Sequence, residues 1–538
     1  MPLQVKVIHT YEDHIPDFYQ TRVMRAKYVS DALRDEYENW NSRDPIMIDA
    51  PTGSGKNTFI INELIPRAKQ LKKNILIISN RIALSIQQKI LIMKALNSPW
   101  LELLTDRGII ETNTFDNVKI ITYQSLPTFL EDENCKVWCD NLMYVIADEA
   151  HFFAADSLFN ESCGYILDQL VRNFTKAIRI YLTATSWDIL YPISQVEQTK
   201  YRELVKNNTW QPPRVCVRYY FPPDFSNITL NFIDCIEDLP EMIESNNEKW
   251  LIFIDNKEKG KALCNNLPGK CSYLDAQSKH SKIWKLITEN ECFESQVLVT
   301  TSVLDNGINI KDPKLKNVVV FSDSRTSLIQ MLGRKRCSEN EKINLWVCNI
   351  NYNSAKKYYN YYKEMYRWYE EYDINNSPST KHAFMTKLWH TEDYRLHILF
   401  YPYKGCLYQN NITRYAIERK IDFFKKIVEN GIPFTNFVQR WLSKPQTIPT
   451  KHIDTLLIYC EANVGKLLSE EEKDILRQYI VKAYIEAKYN EPHKDRLDEL
   501  QYISLNNRLE KLGIPYRIKD QNKIWIIVKY QEVGNDIS

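Results

Sequence analysis

The stretch Ala50-Pro51-Thr52-Gly53-Ser54-Gly55-Lys56-Asn57 constrains this chain more than any other. The apolar run Ile46-Met47-Ile48-Asp49 leads into it, and the helix-compatible Thr58-Phe59-Ile60-Ile61 leads out. An apolar strand, a glycine loop closing on Gly-Lys and a helix make a P-loop. In it, backbone N–H groups wrap phosphate oxygens, the helix start adds positive potential, and the lysine reaches the outer phosphates. Thr52, Gly53, Ser54, Gly55, Lys56, Asn57 and Thr58 are thus the candidate residues for a nucleoside triphosphate. One position departs from the pattern. After the lysine a Ser or Thr hydroxyl ordinarily holds Mg2+; here Asn57 offers an amide oxygen, directly or through water, and Thr58 points elsewhere around the helix.

Short apolar runs recur beyond the loop, at 74–78, 118–121, 143–147 and 178–182, alternating with longer amphipathic segments. Continuous β-branched runs of this kind predict strands buried on both faces, hence a parallel sheet with crossover helices. Ligands bind beyond the carboxyl ends of such strands. Those ends carry the polar residues: the P-loop, Ser79-Asn80-Arg81, Thr122-Tyr123-Gln124-Ser125, Asp148-Glu149-Ala150-His151 and Thr183-Ala184-Thr185. Hydrolysis at a γ-phosphate needs one carboxylate to hold the metal and a second to orient and deprotonate water. Asp148 is assigned to the metal, with Asn57, and Glu149 to the water.

With Ala50 to Asn57, Asp-Glu-Ala-His at 148–151 and Thr-Ala-Thr at 183–185 in order, the chain resembles superfamily 2 helicases of the DEAH/DExH type, a group that includes the motor subunits of type III restriction enzymes. The resemblance implies ATP with Mg2+ and a nucleic-acid partner, DNA favoured over RNA. It implies coupling by His151, Thr183 and Thr185, and strand contacts at Asn80, Arg81, Thr122, Gln124 and Thr301. A second run of strand candidates, at 250–254, 296–300, 317–321 and 343–347, follows the Pro-rich joint at Gln211-Pro212-Pro213 and Phe221-Pro222-Pro223. Residues 300–310, with Gly307, resemble helicase motif V, and Gln330-Met331-Leu332-Gly333-Arg334-Lys335-Arg336 resembles motif VI. That motif sends an arginine from the second lobe to the γ-phosphate, so Arg334 and Gln330 join Glu149 as catalytic candidates. The family's further arginine falls at 337, which is Cys337. Arg336, placed with the nucleotide-binding residues, faces away from Arg334 if the helix continues, so either the turn is non-helical or one arginine suffices. Asn309 stands where an aspartate is common.

The implied fold is α/β: two tandem RecA-like parallel-sheet domains, at 46–205 and 206–352, behind a helical extension at 1–45 and before an α-rich accessory domain at 353–538. Chain length agrees, since 538 residues exceed a single core. The net charge of +2, from 70 cationic and 68 anionic residues, confines any nucleic-acid site to a patch. No apolar run is long enough to span a bilayer and residues 1–17 lack a signal-peptide core, so a cytoplasmic protein without a membrane partner is expected. Twelve cysteines without a Cys-x-x-Cys pair predict free thiols. His382, His390 and His397 lie too far apart along a helix to share one ion.

Past Tyr352 the motifs stop. The tyrosine-rich stretch 358–369 reads as a packing helix in preference to a base-stacking one. Arg414, Arg419, Lys420, Lys425 and Lys426 read as a solvated basic surface. Asn376-Ser377-Pro378-Ser379 reads as a linker, and residues 505–528 as a helix and small hairpin, a packing cap in preference to a winged-helix-like nucleic-acid contact. The resulting expectation is an ATP-driven helicase or translocase, serving phage defence or mobile-element replication by resemblance, with any effector activity supplied by a partner protein. The alternative is a nucleotide-gated nucleic-acid clamp in which Asn57 and Cys337 leave hydrolysis feeble.

Overall fold

A computed structural model describes residues 15–80, 82–96, 108, 112–205, 214–278, 281–305, 309–338, 341–374, 378–390, 394–403, 406–444, 451–486, 500–512, 514–521 and 524–529. Leu3 to Ile8, Arg81, Gly307, the joint at 211–213 and Asn376-Ser377 lie outside them. The chain forms two compact units, one of residues 1–348 with 362–421, the other of residues 349–361 with 422–538.

The first unit holds two sheets. One comprises β1 (Tyr19–Val23), β2 (Ile46–Asp49), β3 (Asn74–Ser79), β4 (Thr114–Phe115), β5 (Val118–Thr122), β6 (Leu142–Ala147), β7 (Ile178–Thr183) and β8 (Cys216–Tyr220), ordered β1-β8-β2-β7-β6-β3-β5-β4. Only β4 runs antiparallel to its neighbour. The second comprises β9 (Ile228–Ile233), β10 (Lys249–Phe253), β11 (Cys271–Leu274), β12 (Val297–Thr300), β13 (Leu315–Val320) and β14 (Ile343–Cys348), all parallel, ordered β11-β12-β10-β13-β14-β9. These are two RecA-like domains. The unbroken apolar runs follow from burial on both faces: Met47, Leu76, Ile78 and Val145 enter one core layer, while Ile46, Ile48, Ile75, Ile77 and Ile146 enter the other.

Two strands lie outside the span expected for the first domain. β1 pairs with β8, and β8 pairs with β2, so Tyr19–Val23 and Cys216–Tyr220 complete the first sheet. Tyr19–Val23, expected within a helical extension, is therefore a strand of the first sheet. β1 has one strand neighbour and exposes much of itself, which hides the alternation of a half-buried strand, and only Phe18 and Tyr19 anchor it in the core. Behind this edge sits a charged cluster. Glu197 accepts from Arg179 Nε at 2.7 Å and Nη2 at 2.9 Å, from Arg214 Nη1 at 2.7 Å and from the Tyr181 hydroxyl at 2.9 Å, all buried. Burial alone would raise the Glu197 carboxyl, but Arg179, by charge and hydrogen bond, and then Arg214 hold it below the usual range.

The tyrosines of the helix Tyr352–Ile374 that belong to the first unit are packing residues. Tyr369 and Tyr372 lie among Phe384, Phe400 and Leu407, and their hydroxyls donate to the carbonyls of Asn410 at 3.2 Å and Leu407 at 3.0 Å. The basic residues after 410 are not a free patch. Arg414 pairs with Asp373 at 2.8 Å, Arg419 donates to the Trp187 carbonyl at 3.1 Å and lies 3.6 Å from Asp188, and Lys420 lies 2.9 Å from Asp323. Lys425 and Lys426, in the second unit, pair with Glu429 and Asp422 one helical turn away. Intervening acidic partners, invisible in a list of cations, account for the difference.

The second unit carries helices Lys451–Ala462, Glu470–Glu486 and Tyr502–Lys511 around β17 (Leu467–Leu468), β18 (Tyr516–Gln521) and β19 (Ile524–Lys529), with sheet order β17-β19-β18. Helix, strand, two helices and a hairpin in that order give the winged-helix topology. The intervening strands β15 (Phe400–Tyr403) and β16 (Cys406–Gln409) form a hairpin in the first unit. Cys264 and Cys271 form a disulfide, which corrects the expectation of free thiols for that pair; the end of one helix and the start of β11 bring their Cα atoms to 5.2 Å.

Candidate nucleotide and nucleic-acid site

β2 ends at Asp49, and the chain then turns through two glycines held in the left-handed region, Gly53 at φ +86° and Gly55 at +79°, before the helix begins at Lys56. A side chain at either would strain the loop. Lys56 Nζ donates to the carbonyls of Ala50 at 2.7 Å and Pro51 at 3.1 Å, and the buried Ser54 hydroxyl has no partner among the described residues. Burial lowers the Lys56 ammonium, with Glu149 and Asp148 opposing. This loop fits a polyphosphate: a backbone turned by two left-handed glycines, an orphaned hydroxyl and, among the described residues, an ammonium hydrogen-bonded to two carbonyls. Thr58 is exposed on the outer side of the helix.

Asp148 and Glu149 follow β6, one strand removed from β2. Glu149 has φ +50°, a left-handed conformation costly for a side-chain-bearing residue and characteristic of sites where position matters more than comfort. The two carboxylates titrate as a pair. Burial and then the Glu149 charge push the Asp148 carboxyl up, whereas His151, Lys56 and Arg334 outweigh burial and hold Glu149 down. An ionised Glu149 suits a water-orienting base. Asp148 with Asn57 Oδ1 is an all-oxygen set that fits a hard divalent cation, which would keep Asp148 ionised.

Motif VI of the second lobe reaches this crevice. Its helix, Arg325–Leu332, stops one residue before Gly333. Gln330, buried, brings Nε2 within 3.4 Å of both His151 Nδ1 and Thr185 Oγ1, and its Oε1 accepts from Arg334 Nη2 at 2.8 Å. Arg334 is buried, 2% exposed, and acts on Glu149. After the helix the chain extends, Lys335 bridging to Ile310, so Arg336 does not point away as helical continuation would require. Its Nε donates to Asn309 Oδ1 at 2.7 Å and its Nη1 lies 3.2 Å from where a Cβ on Gly53 would stand. Burial, then Arg334, lowers its guanidinium to about 10, with Glu149 opposing. The non-helical turn therefore supplies two arginines despite Cys337.

Gly333 allows this approach. A Cβ there would sit 2.6 Å from Thr52 Oγ1 of the P-loop. Gly333→Ala is expected to weaken binding of a non-hydrolysable triphosphate analogue by about tenfold, from overpacking on the order of 1–3 kcal/mol. Adding Thr52→Ala should recover most of the loss, measured by fluorescence titration; an unchanged double variant would refute the contact.

Thr183 and Thr185 link the parts. Ala50 N donates to the Thr183 carbonyl at 2.9 Å, Thr185 N to Thr183 Oγ1 at 3.0 Å, and Ala150 N to the Leu182 carbonyl at 2.8 Å. Of the strand-contact candidates among the described residues, Thr122 ends β5 and caps the turn with Ser125, Gln124 follows and is exposed, and Asn80 and Thr301, just past β3 and β12, are buried. Sequence reasoning missed two groups. Asp49 is paired to Arg218 of β8 and accepts from Ser186 at 2.5 Å, bracing the P-loop from beneath. Gln88, on the helix Ile82–Ala95, donates to Asp148. The acidic Asp49 at the strand end was a usable signal; nothing near Gln88 in sequence marks it.

Two RecA-like sheets, with a P-loop and carboxylate pair on one and an arginine-bearing helix end from the other, define a two-lobed P-loop protein. A family profile described as Type III restriction enzyme, res subunit, matches residues 4–187, and one described as Helicase conserved C-terminal domain matches residues 234–337. The chain belongs to the superfamily 2 helicases, on the branch related to the motor subunits of type III restriction enzymes. It is 23% identical over 348 residues to "Putative helicase 22" of Sulfolobus islandicus filamentous virus (isolate Iceland/Hveragerdi), covering 57% of this chain and 60% of that protein. Solved structures similar to it include S. cerevisiae Dbp5 bound to RNA and ADP BeF3, at 15% identity and TM-score 0.40 over 58% of this chain and 81% of that one. DUF1998 helicase MrfA bound to DNA and AMPPNP is another, at 15% identity and TM-score 0.42 over 72% and 56%. Among the described residues no helix is long and apolar enough to cross a membrane.

Proposed function

We propose that the chain is an ATP-hydrolysing motor of the DEAH/DExH type that moves along or unwinds nucleic acid, DNA in preference to RNA. The observation that carries this reading is the meeting of Gln330 and Arg334 from the second lobe with His151, Thr185 and Glu149 from the first. In the proposed mechanism Lys56 and the P-loop amides bind the triphosphate; Asp148 with Asn57 would hold Mg2+, which would supply positive charge to the phosphates. Glu149, ionised, orients the attacking water and takes its proton, while Arg334 faces the charge that develops on the γ-phosphate and Arg336 the phosphates beside Gly53. Gln330 senses His151 and Thr185, so hydrolysis is tied to lobe closure, and closure steps the motor along a strand held near Asn80, Arg81, Thr122, Gln124 and Thr301. Recognition of backbone is expected from these positions, with no sequence preference from the motor. By resemblance to restriction motors the setting is cytoplasmic phage defence or mobile-element replication, with an effector partner; the winged-helix unit is a further candidate for nucleic-acid contact.

Asn57 in place of a hydroxyl favours a second reading, an ATP-gated clamp with weak turnover. One experiment separates them. Steady-state ATPase with single-stranded DNA, duplex DNA or RNA should rise well above background with one polymer, and Lys56→Ala and Glu149→Gln should each lower it by about 10²–10⁴-fold. ATP-dependent polymer binding without stimulated turnover would establish the clamp.

A further inference from the structure

Gln88 is buried, 4% exposed, on the helix that follows β3. Its amide nitrogen lies between the two oxygens that the nucleotide reading gives to a divalent cation: it donates to Asp148 Oδ2 and stands 3.5 Å from Asn57 Oδ1. Its amide oxygen is buried and has no partner among the described residues. A cavity of about 10 Å³, lined by Asn57 and Gln88 with Ile60, Ile77 and Ile92, adjoins the amide. An NH2 group between two acceptors does what a small cation does there, drawing both oxygens to one point. A buried carbonyl oxygen left unpaired is costly, and a hard cation or one of its waters would satisfy it.

We propose that Gln88 is a third protein group of the cation site. Resting on the ATP–Mg2+ reading above, its amide holds Asn57 and Asp148 together before the ion arrives, then turns its oxygen onto the ion or an ion-bound water. Two amides, Asn57 and Gln88, thereby share the task that a hydroxyl after the P-loop lysine otherwise performs. Asn57 alone is neutral and set on a helix, so the second amide supplies the missing oxygen from across the cavity.

The test reads metal binding without turnover. Mn2+ is titrated into the chain with saturating ADP, free Mn2+ being followed by electron paramagnetic resonance. Gln88→Leu should weaken Mn2+ binding about tenfold or more, as loss of a group supporting a metal site does, while ADP binding in EDTA stays within twofold of wild type. Gln88→Glu, which keeps an oxygen of the same reach and adds charge, should bind Mn2+ at least as tightly as wild type and show a larger Mn2+-induced rise in Tm. Equal Mn2+ affinity in wild type and Gln88→Leu, or equal weakening in both variants, overturns the assignment. Wild-type chain that binds no ADP with or without Mn2+ would overturn the nucleotide reading itself, which distinguishes the two failures.

Discussion

Arg334→Ala is expected to lower polymer-stimulated kcat by about 10³-fold or more, the scale of an arginine that meets transition-state charge. The residue is placed for it. Gln330 holds Arg334 by accepting from Nη2 at 2.8 Å and, through its carbonyl, from Nε at 3.0 Å, and the guanidinium acts on Glu149 in the other lobe. Arg336 remains beside Gly53 in this variant, so KM for ATP should change little. Arg336→Ala should do the reverse, raising KM with a smaller loss in kcat, because it loosens ground-state and transition-state binding alike. If Arg336→Ala abolishes turnover while Arg334→Ala stays within twofold of wild type, the two roles must be exchanged.

The second large effect is on stability. Glu197→Ala should cost about 3–5 kcal/mol, because it leaves the buried Arg179 and Arg214 without their shared counter-ion, and urea unfolding followed by tryptophan fluorescence measures it. The pH dependence has a definite sign. Glu197 has a lower pKa folded than its unfolded value of about 4.3, so its contribution is fully present above that value and is lost as pH falls through the folded pKa. The gap in stability between wild type and Glu197→Ala should therefore be flat near neutrality and narrow only below about pH 4. A gap that widened with acid would contradict the ion cluster.

Much of the first lobe could be read from the chain because its chemistry is local. A P-loop needs its glycines and lysine in consecutive places, and a buried parallel strand announces itself by unbroken apolar residues, as at Ile46–Asp49 and Leu142–Ala147. Motif VI was legible up to Gly333; beyond it helical geometry left two alternatives, and the structure takes the non-helical turn, ending the helix at Leu332. The edge strand Tyr19–Val23 was missed because one neighbour and a wet face leave little apolar pattern. Gln88 was missed for another reason: its partners, Asn57 and Asp148, are distant in sequence, and of the adjacent Gln87 and Gln88 neither carries a mark of what it faces. Arg414, Arg419 and Lys420 show the same limit, because acidic partners of each come from elsewhere in the fold.

Those partners matter beyond bookkeeping of charge. Arg419 and Lys420 are neighbours on one helix, yet Arg419 holds Trp187 and Asp188 just past β7 of the first sheet, and Lys420 holds Asp323 just past β13 of the second. A single turn of helix thus has a hand on each jaw. Any parting of the jaws would require that turn to let go of one of them or travel with it.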